Sequence, residues 1–163
     1  MISKKMQTAL NKQINKELYS SYLYLAMAAD CREKGWNGVA TWLEIQAGEE
    51  NGHAMKFYKY MAEQGAGVQL DAIAKPPASF ESVAKIFDAT LEHERFITKS
   101  IGELVELAVA EKDHATQIML QWFVTEQVEE EAHASEIVQK LGFVGGDARG
   151  LFLIDRELGA RKG

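Results

Sequence analysis

The sequence predicts an all-α fold: a four-helix bundle with a long crossover between its second and third helices and a short fifth helix. Three observations carry this. Apolar side chains recur at spacings of three and four along four stretches, the period of a helix with one buried face. The only two prolines, Pro76 and Pro77, are adjacent, so nothing elsewhere interrupts a long helix. The stretch that holds them is about fifteen residues long, far more than an antiparallel helix turn needs and enough to run the length of a bundle.

The first helix is expected over residues 3–34, with Met6, Leu10, Ile14, Glu17, Ser21, Tyr24 and Ala28 on one face and Gly35 as its stop. The second spans 38–64, with Trp42, Gln46, Glu49, His53, Phe57 and Tyr60 inward, Glu50 on the flank, and Gly65 and Gly67 beyond its end. Residues 65–79 form the crossover. The third helix runs over 79–111, capped by Ser79 with Ser82 as a second candidate. Its stripe is Val83, Phe87, Thr90, Glu94, Ile97, Ile101, Leu104 and Ala108. The fourth covers 114–141 after an Asp113 cap, with Met119, Phe123, Glu126, Glu130, Ala134, Ile137 and Leu141 inward, and Gly142 breaks it. A short amphipathic helix over 147–158 has little core left to join and is expected to pack on partner subunits. The whole, 1–163, reads as one domain, and the Arg161-Lys162-Gly163 tail as solvated.

Composition narrows the function. A net charge of −6 argues against nucleic acid, whose phosphates call for a basic face. Cys31 is the only cysteine, so no intrachain disulfide forms, as suits a reducing compartment. No run approaches the roughly 18 apolar residues of a membrane span, and the stretch from Met1 to Gln7 lacks a signal peptide's apolar core. A cytoplasmic protein with no membrane partner is expected.

The chemistry shows where the apolar stripes break. Each long helix carries acid on or beside its inward face near mid-length: Glu17, then Glu49 and Glu50, then Glu94, then Glu126 and Glu130. Burying a carboxylate is costly, and clustering several is worse, because like charges repel strongly at low dielectric. No Lys or Arg lies on these stripes near that layer, so metal cations are the simplest counter-charge. Two divalent ions would balance Glu17, Glu50, Glu94 and Glu130, and His53, one turn after Glu50, would add a neutral nitrogen ligand. Mostly oxygen ligands with one nitrogen suit iron or manganese better than a structural zinc site. In the fourth helix two frames compete. Glu130-Glu131-Ala132-His133 would make His133 a ligand, whereas Gln127-Val128-Glu129-Glu130 would not, and the stripe favours the second.

These residues resemble a ferritin of the non-haem bacterial or archaeal type, over essentially the whole chain. The resemblance rests on Asn15-Lys16-Glu17-Leu18-Tyr19-Ser20-Ser21-Tyr22-Leu23-Tyr24, on Glu49-Glu50-Asn51-Gly52-His53-Ala54, on His93-Glu94, and on the run from Trp122 to Glu131. It implies a ferritin-like bundle with a di-iron ferroxidase centre. One iron would be held by Glu17, Glu50 and His53. A second would share Glu50 and be held by Glu94 and Glu130, with Gln127 beside the oxygen. Tyr24 would stand next to the irons as a donor of a hydrogen bond or an electron. Glu49, Glu126 and Glu129, with Glu130, match a third iron site. The resemblance further implies Fe(II) as substrate, dioxygen or peroxide as oxidant, and a homo-oligomeric shell of 24 subunits storing ferric mineral, the fifth helix lining its four-fold axis. Haem is not expected, since Gly52 stands where haem-binding relatives have methionine. Gln117 and Leu120 stand where animal ferritins have acids in the three-fold channel, so the resemblance does not fix the route by which iron comes in. Trp36, Trp42 and Trp122 read as packing residues, Met27, Met55, Met61 and Met119 as core or interface, and His93 and His114 as exposed.

Overall fold

A computed structural model describes residues 2–163; the N-terminal reading that begins at Met1 lies partly outside the described residues. Five helices follow in order: α1 (Lys4–Glu33), α2 (Asn37–Glu63), α3 (Val83–Ala110), α4 (His114–Val144) and α5 (Ala148–Leu158), with no strand among the described residues. Side-chain oxygens close four of the five helix starts by accepting an otherwise orphaned backbone N–H. Ser3 accepts from Met6, Ser82 from Lys85, Asp113 from Thr116 and Asp147 from Gly150. Gly35 and Gly65 end α1 and α2 at positive φ, 86° and 66°, where a Cβ is disfavoured.

The crossover runs back along α1. Gln7 and Asn11 donate to the Gly67 carbonyl, Asn11 Oδ1 accepts from Gln69 N, and Asn15 donates to the carbonyls of Asp71 and Ala72. Further on, Asp30 Oδ2 accepts from Phe80 N. α3 therefore begins at the end of the bundle where α2 began. α1 pairs mainly with α2 and α3 with α4, with α1 also against α3.

Two apolar clusters fill the interior. One joins Leu23, Met27, Cys31, Leu43, Phe87 and Leu141 at the end nearest α5; the other joins Leu10, Ile14, Phe57, Ile97, Leu104 and Phe123 at the opposite end. A polar layer lies between them.

Several expectations are corrected. α3 is capped by Ser82, not Ser79, because only Ser82 offers its hydroxyl to the first turn. α4 continues through Gly142 to Val144, since nothing there requires a positive φ until Gly145. The inward face of α2 is turned by half a residue step: Glu50 is buried, and Glu49 and Tyr60 are at the flank. α5 does join the core, with Ile154 and Leu158 buried against α2 and α4 while Phe152 and Leu153 stay exposed. The tail is solvated only at Lys162 and Gly163, because Arg161 folds onto α2. Nor is His93 exposed: its ring is half-buried against Tyr19, Tyr24 and Phe96. Trp122 packs as expected, edge-on to His53 and Phe123, while keeping part of its ring exposed, and Met55 lies outside the core.

Candidate metal centre

The polar layer is built by one turn from each long helix. Glu17 comes from α1, Glu50 and His53 from α2, Glu94 from α3, and Gln127 and Glu130 from α4. All six are between 1% and 5% exposed. Four carboxylates thus share a closed interior, and the groups that meet them are neutral amides and a phenol. Gln13 Nε2 donates to Glu17 Oε1 at 2.7 Å, Gln46 Nε2 to Glu130 Oε2 at 2.6 Å and Glu50 Oε1 at 3.4 Å, and Gln127 Nε2 to Glu94 Oε2 at 3.1 Å. The Tyr24 hydroxyl donates to Glu94 Oε1.

Hydrogen bonds from neutral donors do not neutralise the charge, and the acidities show it. Burial first, then the Glu50 charge, pushes the Glu17 carboxyl up to about 8. Burial and the Glu94 charge push Glu130 up to about 7. Glu50 and Glu94 are raised as well, chiefly by burial. Burial and the nearby Glu94 charge raise the Tyr24 phenol well above its ordinary value.

Among the described residues, two buried side-chain atoms have no hydrogen-bond partner: Glu17 Oε2 and His53 Nδ1. His53 Nδ1 lies 3.3 Å from Glu50 Oε2, close but not aligned for a hydrogen bond. One ligand atom each from Glu17, Glu50 and His53 fall within 4.8 Å of one another, and so do one each from His53, Glu126 and Glu130. Unpaired buried donors and acceptors are rare in folded proteins; here they converge as the ligands of a divalent cation do.

The sequence-predicted residues do not all converge equally. Glu94 lies in neither close group, and one of its oxygens accepts from Gln127 Nε2. Glu49 is half-buried and ion-paired with Arg161 at 2.5 Å, and Glu129 is exposed. His133, the ligand of the rejected frame, is exposed, whereas Gln127 and Glu130 are buried in the layer. Gln13 and Gln46 were missed as partners of the acids. Their signal was available, because each precedes its glutamate by four residues and so shares its face. His93 was also missed: its Nε2 meets Ser20 Oγ at 2.7 Å, and burial lowers its pKa to about 4, so it is a neutral ring packed edge-on to Tyr24.

Comparison with known proteins agrees with the fold. A family model described as a ferritin-like domain matches residues 7–144. A bacterial non-heme ferritin of Bacteroides fragilis is 44% identical, covering 99% of this chain and all of its own. One from Campylobacter jejuni is 43% identical over 96% of this chain and 93% of its own. A solved structure described as a novel open pore ferritin from the hyperthermophilic archaeon Archaeoglobus fulgidus superposes with a TM-score of 0.98, at 48% identity, over 99% of this chain and 100% of the other. With its five helices, its crossover and this full-length likeness, the chain belongs to the ferritin family, among the bacterial and archaeal non-haem ferritins.

Proposed function

We propose that this protein stores iron and is a ferroxidase, oxidising Fe(II) at a di-iron centre inside each subunit and passing Fe(III) to a mineral held in a homo-oligomeric shell of 24 subunits. Glu17, Glu50 and His53 would take the first Fe(II). Glu50 would be shared with a second held by Glu94 and Glu130, with Gln127 alongside. Two Fe(II) ions supply two electrons to dioxygen, which leaves with two protons as hydrogen peroxide, or to peroxide, which leaves as water. Tyr24 holds one oxygen of Glu94 through its hydroxyl, and Gln127 holds the other. A third cation would draw on Glu126, Glu130, Glu49 and Glu129 on its way out of the centre.

The observation that carries this reading is the pair of orphaned atoms, Glu17 Oε2 and His53 Nδ1, in a buried layer of four carboxylates that no Lys or Arg contacts among the described residues. Such a layer is stable as carboxylates only with cations in it.

The test is Fe(II) oxidation followed by absorbance, with His53→Ala and Glu94→Ala as variants. Each is expected to slow the fast phase by tenfold or more, roughly the loss that follows removal of a metal ligand. Unchanged kinetics in both variants would refute the centre. Failure of the wild-type protein to retain iron in a large soluble particle would refute storage while leaving oxidation standing.

A further inference from the structure

Arg161 stands just past α5, on a tail whose last turn is closed by bonds from Ala160 N to Glu157 O and Arg161 N to Leu158 O. Its guanidinium, a permanent cation, lies 4.6 Å over the Trp42 ring. Nη2 donates to Glu49 Oε2 at 2.5 Å, and Nη1 donates to Gln46 Oε1 at 2.9 Å. Gln46 in turn spends its amide N–H groups on Glu130 Oε2 and Glu50 Oε1. Among the described residues, Arg161 is the cationic side chain that pairs with an acid at the edge of the metal layer. Lys16 approaches the layer from the opposite side, but through Ser100 and Gln13 rather than by touching an acid.

The geometry assigns Arg161 as a tethered cation that occupies the outer acids of the centre until a third metal ion displaces it. The inference rests on the proposed di-iron reading and adds a regulator to it. The oxygens a third cation would use are engaged by the tail's contacts: Glu49 Oε2 directly, and Glu130 Oε2 through Gln46. His53, Glu126 and Glu130 already bring ligand atoms within 4.8 Å of one another, so the missing condition is release of Glu49 and of Gln46. A metal ion and the guanidinium compete for the same charge. By linkage, filling the outer site frees the tail, and freeing the tail strengthens the outer site by the same factor. The tail is therefore a latch between the oxidation centre and the cation path leading away from it.

The test uses the assembled protein and Zn(II), which binds such ligands without redox chemistry. Isothermal titration of wild type is expected to resolve two tighter sites per subunit and a weaker third. Arg161→Ala tightens the third by roughly three- to tenfold, the range for losing a partly buried, charge-assisted pair, and moves the first two, which the tail meets only through Gln46, by less. In a Glu49→Gln background the same change has a smaller effect on the third site, because only the contact through Gln46 is left to lose. A second readout is Trp42 fluorescence with Trp36 and Trp122 replaced by Phe. Emission shifts as the third equivalent binds, because the guanidinium leaves the ring, and the Arg161→Ala protein lacks that shift. If two Zn(II) ions bind but Arg161→Ala leaves the third unmoved, or its effect persists undiminished in Glu49→Gln, the latch is overturned and the di-iron reading survives. If wild type takes up no Zn(II), both fall together.

Discussion

Glu17 holds a proton at neutral pH that a carboxyl in water would have lost. Its pKa of about 8 comes first from burial and second from the Glu50 charge, and Glu130, at about 7, follows the same logic with Glu94. In an unfolded chain both would ionise near 4.5. A carboxyl raised in the folded state contributes stability that is complete below 4.5 and lost as pH climbs through 7 and 8, so the metal-free bundle weakens toward alkaline pH. A metal ion binds only the ionised forms and must expel the protons. Zn(II) binding at pH 7 is therefore expected to release at least about one proton per subunit, and fewer from these two groups as pH rises through 7 and 8. Calorimetry in two buffers of different ionisation enthalpy measures this directly. Proton-free binding at pH 7 would mean that the carboxyls are already ionised, and that a positive group other than metal balances them.

At the scale of elements, α5 is positioned by what α2 lacks. A Cβ on Gly38 would lie 1.7 Å from the Asp155 carbonyl oxygen, and one on Gly159 would lie 3.0 Å from Gly38 Cα. The bare backbones approach closely, Asp155 Oδ1 accepts from Val39 N at 2.9 Å, and the tail is thereby laid along α2 toward Trp42 and Glu49. Gly38→Ala is expected to destabilise α5 docking by about 1–3 kcal/mol, the usual range for overpacking, seen as faster hydrogen exchange over residues 148–158. Gly48→Ala, where a Cβ meets open space, is the control and is expected to leave α5 exchange unchanged. The same contrast explains what could be read in advance. The four long helices were legible because thirty-residue stripes average over local errors. So were the turns that carry Glu17, Glu50, His53 and Glu94. The facing of α2 was half a step off, because Glu49 and Glu50 are adjacent and both compatible with an inward stripe. Arg161 was not legible at all. Its partners, Glu49 and Gln46, lie more than a hundred positions away, and the approach depends on two glycines whose contact only the folded chain reveals.

The whole molecule leaves apolar surface that one subunit does not cover. Phe143 is 87% exposed in the last turn of α4, Leu153 and Phe152 are 64% and 62% exposed on the outer face of α5, and Ile118 and Val128 protrude from α4. A soluble monomer rarely carries so many large apolar side chains in the open, and association of copies is what hides them. The acidic layer, by contrast, draws its residues from the four helices of one bundle. Assembly and oxidation are therefore separable. Phe152 and Leu153 touch no site residue, so a charge there should act on association alone. Phe152→Glu with Leu153→Glu is expected to yield a smaller species by light scattering while each subunit still binds Zn(II) with wild-type stoichiometry. Fe(II) should then be oxidised at close to the wild-type initial rate, but the ferric product should precipitate and be lost on centrifugation, because no enclosed space receives it. Loss of the fast phase along with the assembly would show that neighbouring subunits complete the centre. Retention of soluble mineral by the smaller species would show that the shell is not what stores it.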